Sequence, residues 1–312
     1  MNIISCEQYS KESLEELFKL TDDIILSPNK YAKSLEGKII STLFYEPSTR
    51  TRLSFEAAAN RLGARVISTE NAKEVSSAIK GESLKDTIRV THGYADAIVI
   101  RHSDNDSAEI AASVSNVPIL NAGAGSGEHP TQALLDMYTI RDKKGGFNNL
   151  KVAIAGDLLK GRTVHSLIKL LSLYDNVTIY GLSRKFFKLP QNYLDFLENR
   201  NVKYIPCSEF SDLPRDLDII YHTRTQLERL DEKDREGIEE YIINKEVMKN
   251  FSDETYLMHP LPRVKEIAED IDDDPRAIYF EQAHNGMKIR MALLLQVFNK
   301  ELSNEKSISI RS

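Results

Sequence analysis

Short β-branched runs alternate with stretches of helical periodicity along nearly the whole chain, and this alternation constrains the fold more than any other feature. Strands are predicted at 38–45, 65–68, 97–101 and 117–120, with helices at 51–62, 83–94 and 107–115 between them. In the second half strands fall at 152–155, 177–180, 202–205, 219–222 and 256–259, and a last helix covers 288–298. Strands separated by helices need crossover connections, which place helices over the faces of parallel sheets. The expectation is an α/β protein of two domains, each a mostly parallel sheet flanked by helices. A length of 312 residues suits two cores. The break is predicted after a long helix, 131–141, in the polar, glycine-containing stretch 141–149. It divides the chain into 1–141 and 142–285, with the helical segment 286–312 returning to the first domain.

Composition narrows the function classes. A net charge of −6 gives no diffuse attraction to nucleic acid or to an anionic membrane, so any bound anion needs a local cluster of Arg and Lys. Cys6 and Cys207 cannot form a disulfide framework, and neither they nor the seven histidines show metal-ligand spacing. No apolar run approaches the about 20 residues that span a bilayer. The N-terminus turns polar by Cys6-Glu7-Gln8, unlike a signal peptide. The expected protein is soluble and cytoplasmic, and it needs no metal or organic cofactor.

Ligands of open α/β sheets sit outside the carboxyl ends of strands, which directs attention to three places in the first half. After the first strand comes Ser48-Thr49-Arg50-Thr51-Arg52, opening a helix. Helix-start N–H groups and the helix dipole attract anions, and Arg50 can add a bidentate fork suited to phosphate. The same triplet alone also reads as an ordinary capped helix with surface arginines. Second, Arg101 ends the strand 97–101, where an unpaired charge would be unusual. Third, a Gly-rich loop, 122–127, precedes His129-Pro130-Thr131-Gln132, which opens another helix with Pro at its first position.

Ser48-Thr49-Arg50-Thr51-Arg52 together with His129-Pro130-Thr131-Gln132 resembles the carbamoyl-phosphate signature of the aspartate/ornithine carbamoyltransferase family. Phe44-Tyr45-Glu46-Pro47 before them and Leu134-Leu135-Asp136 after them fit as well. The resemblance implies the carbamoyltransferase fold, with a carbamoyl-phosphate domain followed by an acceptor domain. It implies that Ser48, Thr49, Arg50, Thr51 and Arg101 hold phosphate, that Thr51, Arg101 and His129 reach the carbonyl oxygen, and that Gln132 meets the carbamoyl nitrogen. Ser76-Ser77-Ala78-Ile79-Lys80-Gly81-Glu82-Ser83 is similar to the family's mobile loop, from which Ser76 and Lys80 would enter a neighbouring subunit's site.

The second half distinguishes the acceptors. Aspartate brings two carboxylates and needs cations; ornithine brings a second amine and needs an acceptor such as a carboxylate. Arg162 opens a helix after the strand 152–155, and Arg224 follows the strand 219–222, a pair suited to a dicarboxylate. Gly161 to Ser166, His222 to Arg229, and His259-Pro260-Leu261-Pro262-Arg263 resemble the aspartate branch of the family, and the Ser-Met-Gly signature of the ornithine branch is absent. The resemblance implies that Arg162, Arg224 and Gln226 bind aspartate, with Lys80. Backbone carbonyls of Pro260 and Leu261 would meet the amine and amide, and Leu261 and Pro262 would also line the carbamoyl-phosphate site.

The reaction so implied is an acyl transfer with no covalent enzyme intermediate, serving pyrimidine biosynthesis. Carbamoyl transfer to ornithine or another amine is the alternative. A nicotinamide dehydrogenase is disfavoured, because Val152-Ala153-Ile154-Ala155-Gly156 lacks the G-x-G-x-x-G fingerprint. A non-catalytic scaffold is disfavoured by the complete set of substrate residues. Family resemblance further implies a homotrimer with shared active sites. Relatives occur both as bare trimers and joined to a separate zinc-containing regulatory chain under allosteric control, and the sequence leaves both open.

Overall fold

Ile39-Ile40-Ser41-Thr42-Leu43-Phe44 is buried along almost its whole length, as a strand covered on both faces must be. It forms β1 (Ile39–Phe44) inside a sheet that also holds β2 (Arg65–Glu70), β3 (Ala97–His102) and β4 (Ile119–Ala124). The order is β2-β1-β3-β4, with every neighbour parallel. The helices Thr49–Arg61, Leu84–Thr91 and Ser107–Val114 lie between these strands in sequence. Ile3 pairs with the outer side of β4, its N–H donating to Ile119 O and its carbonyl accepting from Asn121 N, both at 2.8 Å. The N-terminal segment thereby covers a sheet edge that would otherwise be open.

The computed structural model describes residues 1–72, 81–225 and 240–309, with side chains through 298. The chain divides into two compact units, Met1–Leu135 with His284–Ser312 and Asp136–Ala283. In the second unit β5 (Lys151–Ala155), β6 (Thr178–Leu182), β7 (Lys203–Cys207), β8 (Ile219–His222) and β9 (Tyr256–Met258) form a parallel sheet of order β7-β6-β5-β8-β9. Its core gathers Ala153, Leu182, Ile220, Leu257, Ile267 and Tyr279. The α/β class with two parallel, helix-flanked sheets is as the alternating sequence pattern predicts.

Both orders contain a reversal. From β1 the chain moves to β2 on one side and then returns to β3 on the other, so the switch lies between β1 and β3. In the second sheet the chain runs from β5 outward to β7 and returns to β8, which places the switch between β5 and β8. Crossovers that leave in opposite directions open a crevice at the carboxyl ends of the two central strands.

Several elements differ from the sequence reading, and three are instructive. β4 extends through Ala122, Gly123 and Ala124, predicted as loop; these small residues are all buried. The last helix spans Tyr279–Ser309, not 288–298. Its first turns were hidden by polar residues that are in fact buried, Gln282 at 1% and Asn285 at 2% exposure. Gly286 suits that helix because a Cβ there would lie 2.5 Å from the Arg290 guanidinium and 3.1 Å from Leu135. Finally, the helix Lys11–Leu26 was not predicted; reciprocal bonds between Ser10 and Ser13 cap its start.

Candidate functional site

The first switch point brings together two of the predicted groups. Phe44 at the end of β1 is in register with Arg101 near the end of β3, and Tyr45 N donates to Arg101 O at 2.8 Å. Directly beyond Phe44 the chain reaches Ser48, which stands at the N-cap of the helix Thr49–Arg61. The Ser48 hydroxyl makes no capping hydrogen bond, so the first N–H groups of this helix are not closed off by that side chain. Thr51 is buried at 7% exposure, whereas Thr49 and Arg50 are exposed. Among the described residues no hydrogen-bond or ion-pair partner of Arg50 is seen. Arg52 behaves differently, because its guanidinium pairs with Glu56 at 3.0 Å and with Glu70 at 2.8 Å. The motif thus holds one arginine turned to structure and one available to a ligand.

Arg101 is mostly covered, with 15% of its side chain exposed, and it contacts Glu46 at 3.5 Å and the Ala122 carbonyl at 3.4 Å. These contacts tie it to the segment after β1 and to β4, the two strands that flank β3. Past β4, His129 begins the helix Pro130–Lys144, accepting at its carbonyl from Gln132 N at 3.0 Å and Ala133 N at 3.2 Å. His129 and Gln132 are 4% and 9% exposed and Thr131 is fully buried, an unusually polar first turn for an interior position. Glu128 anchors the approach by accepting from Ser5 Oγ at 2.9 Å and Cys6 N at 2.7 Å.

At the second switch point Ala155 is in register with His222, and Thr223 N donates to Ala155 O at 2.8 Å. Gly156 has φ of 108° and lies so close to the other strand that a Cβ would stand 2.1 Å from Thr223 O. Only glycine permits this approach. The chain then turns at Asp157, whose carboxylate accepts from Leu159 N at 3.1 Å and Lys160 N at 2.9 Å, and Arg162 opens the helix Arg162–Leu171. Arg224 leaves β8 two residues beyond His222 and is half-buried. The two arginines therefore follow the two central strands of this sheet. Pro260, Leu261 and Pro262 follow β9, the neighbour of β8, and Leu261 has φ of 50°. Ser76, Lys80 and Gln226 lie outside the described residues.

Sequence reasoning missed the polar network beneath this half-site. Asp136, wholly buried, accepts from Tyr221 OH at 2.8 Å and from Gln282 Nε2 at 2.6 Å. Gln282 Oε1 in turn accepts from His259 N at 2.9 Å, and His259 Nε2 lies 2.9 Å from Glu266. Burial and the facing Asp136 carboxylate push the Tyr221 hydroxyl well above its ordinary pKa, so it stays a donor. The sequence signal available for this network was weak, since its members lie in different elements and far apart along the chain. Among the described residues no group of three or more His, Cys, Asp or Glu is arranged to hold a metal ion, and no described helix is long and apolar enough to cross a membrane.

Comparison with known proteins agrees with this anatomy. The family described as aspartate/ornithine carbamoyltransferase, carbamoyl-P binding domain, matches residues 1–142, and its Asp/Orn binding domain matches 148–297. The chain is 48% identical over 303 residues to the aspartate carbamoyltransferase catalytic subunit of Clostridium novyi (strain NT), covering 96% of this chain and 98% of that one. It is similar to the catalytic subunit of M. jannaschii aspartate transcarbamoylase, with a TM-score of 0.88, 45% identity, and coverage of 96% and 98%. Similarity extends to Trypanosoma cruzi aspartate transcarbamoylase solved with carbamoyl phosphate and aspartate, with a TM-score of 0.87, 36% identity, and coverage of 94% and 95%.

Proposed function

The chain belongs to the aspartate/ornithine carbamoyltransferase family, and from that premise we propose how its two halves divide the chemistry. It transfers the carbamoyl group of carbamoyl phosphate to the α-amine of L-aspartate, giving N-carbamoyl-L-aspartate and phosphate. The observation that carries the division is topological. One pair of arginines, Arg50 and Arg101, follows or ends the central strands of the first sheet, and another, Arg162 and Arg224, follows those of the second. A phosphate and a dicarboxylate are both anions, and each is given its own cationic half-site.

In this reading Ser48, Thr49, Arg50 and Thr51 bind the phosphate at the helix start, joined by Arg101. Thr51, Arg101 and His129 donate to the carbamoyl oxygen, and Gln132, Leu261 and Pro262 hold the carbamoyl group. Arg162, Arg224 and Gln226 take the carboxylates of aspartate, while the carbonyls of Pro260 and Leu261 accept from its amine. The amine nitrogen forms a bond to the carbamoyl carbon, and negative charge collects on the carbonyl oxygen. Each donor to that oxyanion is worth about 10²–10³ in rate. The bond from carbon to the phosphate oxygen then breaks, and the departing phosphate carries away the amine proton.

Ser76 and Lys80 act in the site of a neighbouring subunit, which makes the working form a homotrimer. The protein is cytoplasmic, takes part in pyrimidine biosynthesis and needs no cofactor. Sizing it alone and mixed with a zinc-containing regulatory chain tests the assembly. The assay for function supplies the purified protein with carbamoyl phosphate and a panel of amines. Phosphate release is expected with L-aspartate alone; release with ornithine, or with none, overturns the reading.

A further inference from the structure

Leu261 is held at φ of 50°, in the left-handed region, which a side chain bearing a Cβ adopts only where its neighbours enforce it. Leu261 packs against the core of its unit, and its N–H donates to His259 Nδ1 at 2.8 Å, a bond that helps to hold this backbone. A ring nitrogen that accepts carries no proton. The His259 proton therefore sits on Nε2, which donates to Glu266 Oε1 at 2.9 Å. Glu266 Oε2 accepts from Val264 N and Lys265 N, each at 3.0 Å. His259 and Glu266 are both 1% exposed at the side chain, so water cannot substitute for either partner. Burial pushes the Glu266 carboxyl up, but the bonds from His259 and the backbone outweigh it and hold the group down at about 2. The nearby ring of His222 lies 6.3 Å from that of His259, and burial holds its pKa down to about 4. Its own ring nitrogens face other groups, Nδ1 lying 3.0 Å from Thr223 O and Nε2 2.9 Å from Tyr241 O.

We propose that Glu266 is a positioning residue for the transfer: by fixing the proton of His259 it sets the backbone of Leu261, whose carbonyl faces the substrates. The inference rests on the assignment of Leu261 to the substrate site made above. A carboxylate accepts on both oxygens, and here the three donors that reach it leave it no role as a donor.

Glu266→Gln isolates this role. Glutamine has one acceptor oxygen and one NH₂ group. If its oxygen meets Val264 N and Lys265 N, the NH₂ faces His259 Nε2, drives the proton to Nδ1 and removes the acceptor for Leu261 N. If its oxygen meets His259, the NH₂ faces two backbone N–H groups. Either arrangement sets donor against donor in a dry site. The expected result is a fall of about 10- to 100-fold in kcat/KM for aspartate, the range that small misplacements of reacting groups produce.

The control is His259→Asn, whose side-chain oxygen can stand near the place of Nδ1 and accept from Leu261 N without help from residue 266. Adding Glu266→Gln to His259→Asn should lower kcat/KM by less than about twofold, because the two changes act through one path. An equal loss in both backgrounds, or no loss in either, overturns the proposal. If Glu266→Gln does not fold, Glu266→Asp replaces it, with a several-fold loss expected in the His259 background only. Arg162→Ala is measured beside these. Unchanged aspartate kinetics in Arg162→Ala would remove the acceptor half-site on which the inference rests. Impaired Arg162→Ala beside normal Glu266→Gln would overturn the positioning role alone.

Discussion

Gly156→Ala is the substitution that most directly strains the geometry of the second switch point. The new Cβ would lie 2.1 Å from Thr223 O and 2.8 Å from Thr223 Oγ1. Non-bonded carbon and oxygen come into ordinary contact above about 3 Å, so Thr223 must withdraw by roughly 1 Å. Thr223 is tied to Ala155 O through its N–H at 2.8 Å and its hydroxyl at 3.2 Å, and a shift of that size loosens both bonds. The φ of 108° adds its own penalty for any residue with a Cβ. Overpacking of about 1–3 kcal/mol and backbone strain of about 1–2 kcal/mol together give about 2–5 kcal/mol of destabilisation. Arg224 is the next residue, and a displacement near 1 Å at a substrate contact costs about 100-fold in turnover. Denaturant midpoints and aspartate saturation curves at saturating carbamoyl phosphate read the two effects. Phosphate affinity should change little, because Ser48 to Thr51 belong to the other unit. A variant with wild-type stability and wild-type aspartate kinetics would refute the claim that this close approach of β5 and β8 sets the half-site.

Three further outcomes are expected. Arg52→Ala should cost about 1–2 kcal/mol through its lost pairs with Glu56 and Glu70 while leaving phosphate affinity in calorimetry within a few-fold; abolished phosphate binding would make Arg52 a ligand instead. Glu266 titrates near 4.5 when unfolded and near 2 when folded, so its stabilisation is complete above pH 4.5 and is lost as pH falls through 2; Glu266→Gln should flatten the acid limb of a stability–pH curve in that window, and an unchanged slope would contradict the pairing. Mixing Lys80→Ala trimers with Arg101→Ala trimers should restore activity, since one site in a mixed ring regains both groups; confirmed mixed trimers at parental activity would show that Lys80 does not act across subunits.

The order of strands and helices was legible because buried parallel strands read as β-branched runs and their crossovers as helical periods. β1, β3, β5 and β8 fall within a residue or two of expectation for that reason. β4 and the last helix were harder, since each breaks a compositional rule for a packing reason. Ala122-Gly123-Ala124 reads as loop yet is a buried strand, and Gln282 and Asn285 read as surface yet lie inside. At the site, residue type and position after a strand singled out Arg50, Arg101, Arg162 and Arg224 as candidates, and the structure places each at or after the end of a central strand. Sequence chose Arg50 over Arg52 without the physical reason, because the pairing of Arg52 with Glu70 depends on β1 and β2 lying side by side. Nor could it find Glu266, which acts on Leu261 through the protonation of another side chain.

The account stands on two separate cationic half-sites serving two anions, and saturation kinetics of Arg50→Ala and Arg224→Ala with each substrate varied in turn test it most directly. Arg50→Ala should raise the KM for carbamoyl phosphate, and Arg224→Ala the KM for aspartate, each by about 10- to 100-fold, as expected for loss of one charge-assisted contact. The KM for the other substrate should move by no more than a few-fold in either case. Both variants weakening the same substrate, or Arg224→Ala leaving aspartate untouched, would contradict the division.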